Sequence, residues 1–143
     1  MHRYLVVANQ TLAGTRLLEQ LRELATRGPC AFHLVVPVEP PSNHAWTENE
    51  VRRTAQARLN QALERFAALD GQITSEIGDA SPQLAVDDVL LRDPNFDAIV
   101  LSTLPPGPSK WLKLDLPRRL AERTGLRVIH VIGSREPLAT GPV

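Results

Sequence analysis

Apolar positions along this chain follow two rhythms. Short continuous apolar runs recur at Tyr4-Leu5-Val6-Val7-Ala8, Phe32-His33-Leu34-Val35-Val36, Ala98-Ile99-Val100-Leu101 and Val128-Ile129-His130-Val131-Ile132. Runs this short, bounded by polar, glycine or proline residues, predict strands buried on both faces. Ile73-Thr74-Ser75-Glu76-Ile77 mixes apolar with polar positions and predicts a half-covered or edge strand. Between the runs the spacing becomes helical. Leu17, Leu21, Leu24 and Ala25 mark one face between Leu12 and Arg27, and Val51, Ala55, Leu59, Ala62, Leu63 and Phe66 mark a second. Ala85, Val86, Val89 and Leu90 mark a third, and Leu116, Leu120 and Ala121 a fourth.

The residues between these segments mark their ends. Gly28-Pro29 closes the first helix, Asp70-Gly71 the second, Asp93-Pro94 the third and Gly125 the fourth. Thr47-Glu48-Asn49-Glu50 is a capping-box signature: the threonine oxygen takes the amide three residues on, and Glu50 reaches back. Ser81-Pro82 puts a hydroxyl cap before a proline at the first helical position, where the missing amide costs nothing. Asp115 is the candidate cap of the last helix. Prolines at 37, 40 and 41 end the second strand, and Pro105-Pro106-Gly107-Pro108 follows the fourth.

Five strands alternating with four helices predict an α/β fold in which right-handed crossovers join parallel strands. The expected architecture is one doubly wound domain over residues 1–133, with a five-stranded parallel sheet in the order 3-2-1-4-5 and two helices on each face. Residues 134–143 have no period and read as a loose tail.

Composition narrows the class without naming a reaction. At 143 residues, 43% hydrophobic and 22% charged, the chain suits one soluble domain and excludes a collagen-like, disordered or membrane-spanning protein. The lone cysteine, Cys30, excludes an internal disulfide framework and reads as a small buried hydrophobe rather than a nucleophile. The run near Met1 is too short for a secretory signal and no small-residue cleavage site follows it, so a cytoplasmic location is expected. Zero net charge gives no global pull toward nucleic acid or membrane, and neither is expected as a partner. The charge is unevenly spread: residues 70–97 carry Arg92 against seven acidic side chains, whereas residues 98–143 carry seven basic and three acidic ones. This asymmetry reads either as two solvated faces or as a local anion site in the last third.

In an open parallel sheet, ligands bind beyond the carboxyl ends of the strands where the strand order reverses, here between the first and fourth strands. The candidate crevice is therefore lined by Asn9, Gln10, Thr11, Val36, Ser102 and Thr103, with Ser109, Lys110 and Asp115 beyond. The Ser109–Lys113 segment and Arg118-Arg119 form a basic cluster around the start of the last helix, where unpaired amides favour anions, but Asp115 at the cap supplies a carboxylate of its own. The loop after the first strand has one glycine, Gly14, where a dinucleotide fingerprint needs three. No phosphate-cradling Gly-Lys-Ser or Gly-Lys-Thr sequence and no Gly-x-Ser-x-Gly elbow occurs. His2, His33, His44 and His130 lack the spacing of metal ligands, so no metal is expected, and His33 and His130 read as core histidines bonded to a neighbour.

Strand by strand, the sequence resembles the universal stress protein family. The resemblance runs through Tyr4–Thr11, Phe32–Pro41, Gly78-Asp79, Asp97-Ala98-Ile99-Val100-Leu101-Ser102-Thr103 and Arg127–Ile132. ATP-binding members of that family carry a glycine, two residues, a second glycine, nine residues, then Gly-Ser or Gly-Thr. In this chain those positions are Ser102, Pro105 and Asp115-Leu116, and the family's adenine-holding aspartate aligns with Asn9. The motif glycines let backbone amides close on phosphate oxygens, whereas a proline has no amide. The resemblance therefore implies the fold and a stress-response role. The departures imply a non-catalytic regulatory or protein-interaction domain that uses no cofactor and does not bind ATP. The alternative is a domain that binds a small molecule, such as a nucleotide, in the altered crevice.

The third and fifth strands are the sheet edges in this order. Glu76 guards the third, while Val128, Ile129, His130, Val131 and Ile132 in the fifth include no lysine, carboxylate or proline. An unguarded apolar edge invites pairing, so a homodimer through the fifth strand is expected, as is common among stress-protein relatives.

Overall fold

The computed structural model describes residues 1–12, 14–38, 45, 47–107 and 109–133. Five strands, β1 (His2–Val7), β2 (Cys30–Pro37), β3 (Gln72–Gly78), β4 (Ala98–Thr103) and β5 (Arg127–Ile132), form one sheet in the order β3-β2-β1-β4-β5. Every neighbouring pair is parallel, in agreement with the architecture predicted from the strand-helix alternation. The helices are α1 (Thr15–Thr26), α2 (Glu48–Phe66), α3 (Pro82–Arg92), α4 (Lys110–Lys113) and α5 (Leu116–Thr124).

Strand pleating divides the apolar side chains between two cores. Leu17, Leu21 and Leu24 of α1 and Leu59, Ala62 and Phe66 of α2 pack with Tyr4, Val6, Phe32, Leu34, Val36 and Val100. Ala85, Val86 and Val89 of α3 and Leu116 and Leu120 of α5 pack with Leu5, Val7, Val35, Ile99 and Leu101 on the other face. The central strands have no solvent face, which is why β1 and β4 read as unbroken apolar runs. A Leu→Ala change at a fully buried position such as Leu5 removes about 2–5 kcal/mol.

The sequence signals act at the helix ends. Thr47 accepts from the Glu50 amide at 3.0 Å, although its hydroxyl then donates to the Glu50 carboxylate, so the box closes side chain to side chain. Ser81 caps α3 through the Leu84 amide. Gly78, in the Gly-Asp turn, is required by close packing: a Cβ there would lie 2.8 Å from Val35 and 2.9 Å from Ala85. Gly125 ends α5 at φ +73°, the left-handed conformation that glycine adopts without strain.

The structure corrects the sequence reading in four places. The first helix begins at Thr15 rather than near Leu12, and Leu12 is buried in the preceding loop. There are five helical segments rather than four, because Ser109 caps an extra single turn, α4, by accepting from the Leu112 amide. Strand five is not buried on both faces. As an edge strand it has only Val131 fully buried, and Ile132 is 42% exposed. Asp115 stands at the N-cap of α5 but makes no capping bond, and its carboxylate instead accepts from Arg118 Nε. The stop at Pro40-Pro41, His44 and the tail expected at 134–143 lie outside the described residues.

Candidate functional site

The strand order reverses between β1 and β4, and the loops leaving those two strands meet above the sheet. Asn9, Gln10 and Thr11 follow β1 directly, and a tight turn holds them through Leu12 N–H to Asn9 O and Gly14 N–H to Thr11 O. Ser102 and Thr103 are the last two residues of β4, both almost fully buried. Sequence reasoning placed these residues in one crevice, and the fold does bring them together. It also bonds two of them, Thr11 and Ser102, to each other.

Thr11 Oγ1 and Ser102 Oγ share a hydrogen bond at 2.5 Å, with Thr11 2% and Ser102 1% exposed. Gly133, just past β5, lies behind this pair: a Cβ on it would stand 3.5 Å from the Thr11 side chain, and its amide donates to Thr103 O. The Thr103 hydroxyl donates to Leu104 O at 2.9 Å, which leaves its lone pairs toward His130 Nε2 at 2.8 Å. A hydroxyl has one proton to give, so His130 Nε2–H is the donor in that contact. Burial lowers the His130 pKa and favours the same neutral imidazole. Asn9 Oδ1 accepts from the Arg58 guanidinium of α2 at 2.7 Å. Gln10 points into solvent.

The remaining candidates are arranged differently from the expected lining. Val36 is fully buried in the core under α1 and α2. It cannot line an open crevice, because its position in the pleat turns it onto those helices. Ser109, 3% exposed, is committed to capping α4. Lys110 is exposed on that turn, and Trp111 packs against the core under α3 and α5. Asp115 adopts φ +55°, the only positive φ at a non-glycine residue among the described residues. The position aligned with the last motif glycine thus keeps a backbone shape natural to glycine while carrying a carboxylate. Pro105 offers only its carbonyl, which accepts from the Ser109 amide.

Sequence reasoning missed Arg58, Gly133 and the partner of His130. Arg58 reads as one more charge on the wet face of a helix, and nothing near it in sequence points to Asn9. His130 was expected to be a bonded core histidine, but its hydroxyl partner is 27 residues away.

Three features lie outside the crevice. On the α3 side, His33 bonds Thr74 Oγ1 through Nδ1 and Glu76 through Nε2, each at 2.6 Å, while Arg92 takes both Glu76 oxygens. Burial works to raise the Glu76 carboxyl, but hydrogen bonds from Arg92 and His33 outweigh it and hold it below the usual carboxylate range. Cys30 is buried, and burial pushes its thiol up, away from the reactive thiolate. Along the opposite edge, an open groove of about 360 Å³ runs between α1 and β5, lined by Arg16, Glu19, Gln20 and Glu23 and by His130–Ile132. Among the described residues no cluster of His, Cys, Asp and Glu is arranged to hold a metal, and no helix is long and apolar enough to cross a membrane.

Comparison with known proteins places this architecture. No family profile matches the sequence, and no curated protein matches it. The fold is similar to that of a universal stress protein from Archaeoglobus fulgidus, with a TM-score of 0.55 and 16% identity over 92% of this chain and 93% of the other. It is equally similar, at a TM-score of 0.55 and 14% identity, to a universal stress protein solved in complex with cAMP, over 93% of this chain and 98% of the other. The fold is therefore that of the universal stress proteins, with a sequence far diverged from both.

Proposed function

We propose that this chain is a non-catalytic regulatory domain on the universal stress protein scaffold, acting as a homodimer through β5 and through contacts with other proteins rather than through bound ATP. The observation that carries this reading is that the crevice's polar groups are already paired with each other. Thr11 holds Ser102, Arg58 holds Asn9, Thr103 holds His130, and Ser109 is spent on a cap. A triphosphate would have to displace these bonds, and Pro105 has no amide to offer in return. Asp115 contributes less than its charge suggests, because Arg118 already neutralises it.

Calorimetry with ATP and with cAMP at millimolar concentration tests this. We expect no saturable heat from ATP. A micromolar dissociation constant would overturn the proposal and direct attention to Lys110, Lys113, Arg118 and Arg119. One observation favours a second reading, in which the crevice takes a small ligand. The left-handed backbone at Asp115 leaves the N-terminus of α5 without a side-chain cap, and a saturable response to cAMP with none to ATP would select that reading. The dimer is tested separately by light scattering at micromolar concentration, where the mass should be near twice 15.8 kDa.

A further inference from the structure

Apart from Met1, the large apolar side chains that stand exposed among the described residues are Leu84, Leu91, Leu114 and Ile132. Ile132 belongs to the β5 edge. The other three lie on α3 and α4, in the helical layer that covers the Leu5–Leu101 face of the sheet. On α3, Asp88 sits between Leu84 and Leu91, and spacings of four and three residues set all three exposed side chains on one outward stripe. The stripe is about 10 Å long. Leu114 ends α4 beside the exposed Lys113, with Trp111 and Leu112 half-buried behind it.

The two regions differ in sign once the charges already paired are set aside. Around α3, Asp87 is tied to Arg123, Arg92 to Glu76, Asp93 to Arg3 and Asp97 to His2. Asp88 has no ion pair among the described residues, and neither has Asp79, whose carboxylate holds the Ser81 amide. Around α4 and α5, Asp115 and Glu122 are both tied to Arg118, and Lys110 has a contact of its own. Lys113 and Arg119 are exposed and have no ion pair there. The leucine stripe of α3 is thus left acidic, and the surface around Leu114 is left basic.

We infer that these surfaces are complementary halves of one contact, in which the α4 turn of one copy of this chain seats on α3 of another. Leu114 enters between Leu84 and Leu91, and Lys113 meets Asp88. The charge complement carried within a single sequence selects a second copy as the occupant. The side-chain bonds from Arg123 to Asp87 join α5 to α3 in one layer. Two copies can therefore meet face to face about a twofold axis, each giving its α4 turn to the other's α3, and such a contact closes rather than extending into a fibre. It uses helices and not a strand edge, so it goes beyond the β5 dimer and does not depend on it.

The test is sedimentation equilibrium of the full chain at low salt, from micromolar to millimolar concentration. The parent should associate beyond its micromolar mass, and less so in high salt. Asp88→Lys alone and Lys113→Glu alone each turn two symmetric attractions into repulsions and should weaken that step about tenfold or more. An equimolar mixture of the two variants should return to within about threefold of the parent, because each reversed side chain then meets its opposite. Leu91→Ser should also weaken the step about tenfold while leaving the unfolding midpoint unchanged, since Leu91 is 84% exposed. A mixture that associates no better than either variant overturns the pairing. A parent that keeps its micromolar mass throughout overturns the self-contact and leaves the α3 stripe to a different, basic partner. Whether the micromolar mass is that of one chain or two tests the β5 dimer separately, so the two readings fail independently.

Discussion

The two edges of the sheet are protected in different ways. Along β3 no residue is fully buried, but its one carboxylate, Glu76, is tied to Arg92 of α3 and to His33 of the neighbouring strand. That network places charge on the strand and holds it there. Along β5 the only charge within the strand is Arg127 at its start, Val128 and Ile129 are half-buried against the two opposite cores, and Ile132 is exposed. Identical backbone chemistry thus produces one edge that carries an ionic network and one with no charge beyond its first residue. The difference lies in where the flanking helix presents its charges. Arg92, the last residue of α3, reaches Glu76 on β3, whereas α1 touches β5 and sets Arg16, Glu19 and Glu23 along a groove beside it.

The largest expected effect breaks the open edge. Ile129→Lys should place two ammonium groups close to the twofold axis and reduce association by about a hundredfold or more. Thr74→Lys on β3 should leave the measured mass unchanged. Ile132→Lys is the safer companion variant, because Ile132 is 42% exposed whereas Val131, at 7%, belongs to the core. Light scattering across a dilution series reads all three, and equal loss of dimer from both edges would refute the contrast.

A smaller effect sharpens the closed edge. Glu76→Gln should cost the monomer about 1 kcal/mol, since the pairs are partly exposed and screened by solvent. The cost depends on pH with a definite sign. Glu76 titrates lower in the folded state than in the unfolded chain, so its contribution is present above the unfolded value near 4.3 and disappears as pH falls through the folded one. Urea denaturation at pH 7 and at pH 3 should therefore show the variant and the parent converging in acid. A constant difference across that range would remove the ionic explanation.

The smallest effect concerns His130, beside the open edge. Its folded pKa lies below the ordinary 6.5 because burial disfavours the imidazolium. The unfolded chain then binds more protons than the folded one, and stability rises with pH through that region. Melting curves should show stability falling as pH drops below about 6.5, and His130→Gln should flatten that slope. An unchanged slope would mean that another group is responsible.

Much of this molecule was legible before any coordinates. Continuous apolar runs at Leu5–Val7 and Ile99–Leu101 predict central strands, because only a strand covered on both faces excludes polar residues from every position. The mixed pattern at Thr74–Glu76 predicts an edge for the complementary reason. The caps at Thr47 and Ser81 depend on neighbours within three residues, so spacing alone reveals them. The motif positions Ser102, Pro105 and Asp115 were legible too, as departures from a resembling family.

Tertiary structure decided the rest. Asn9 meets Arg58 across 49 residues, and Thr11 meets Ser102 across 91. Periodicity reports which face a side chain takes, but not which distant polar group waits on that face. The extra turn at Lys110–Lys113 formed because a proline-rich stretch delivered Ser109 to a capping position, and Asp115 turned from the helix amides to Arg118 once its backbone entered the left-handed region. Strand five reads in sequence as buried on both faces although the expected strand order sets it at an edge, and in the structure only Val131 of it is fully buried. Hydrophobicity records that a residue favours burial, and only the three-dimensional arrangement shows how much of β5 stays exposed once the sheet has formed.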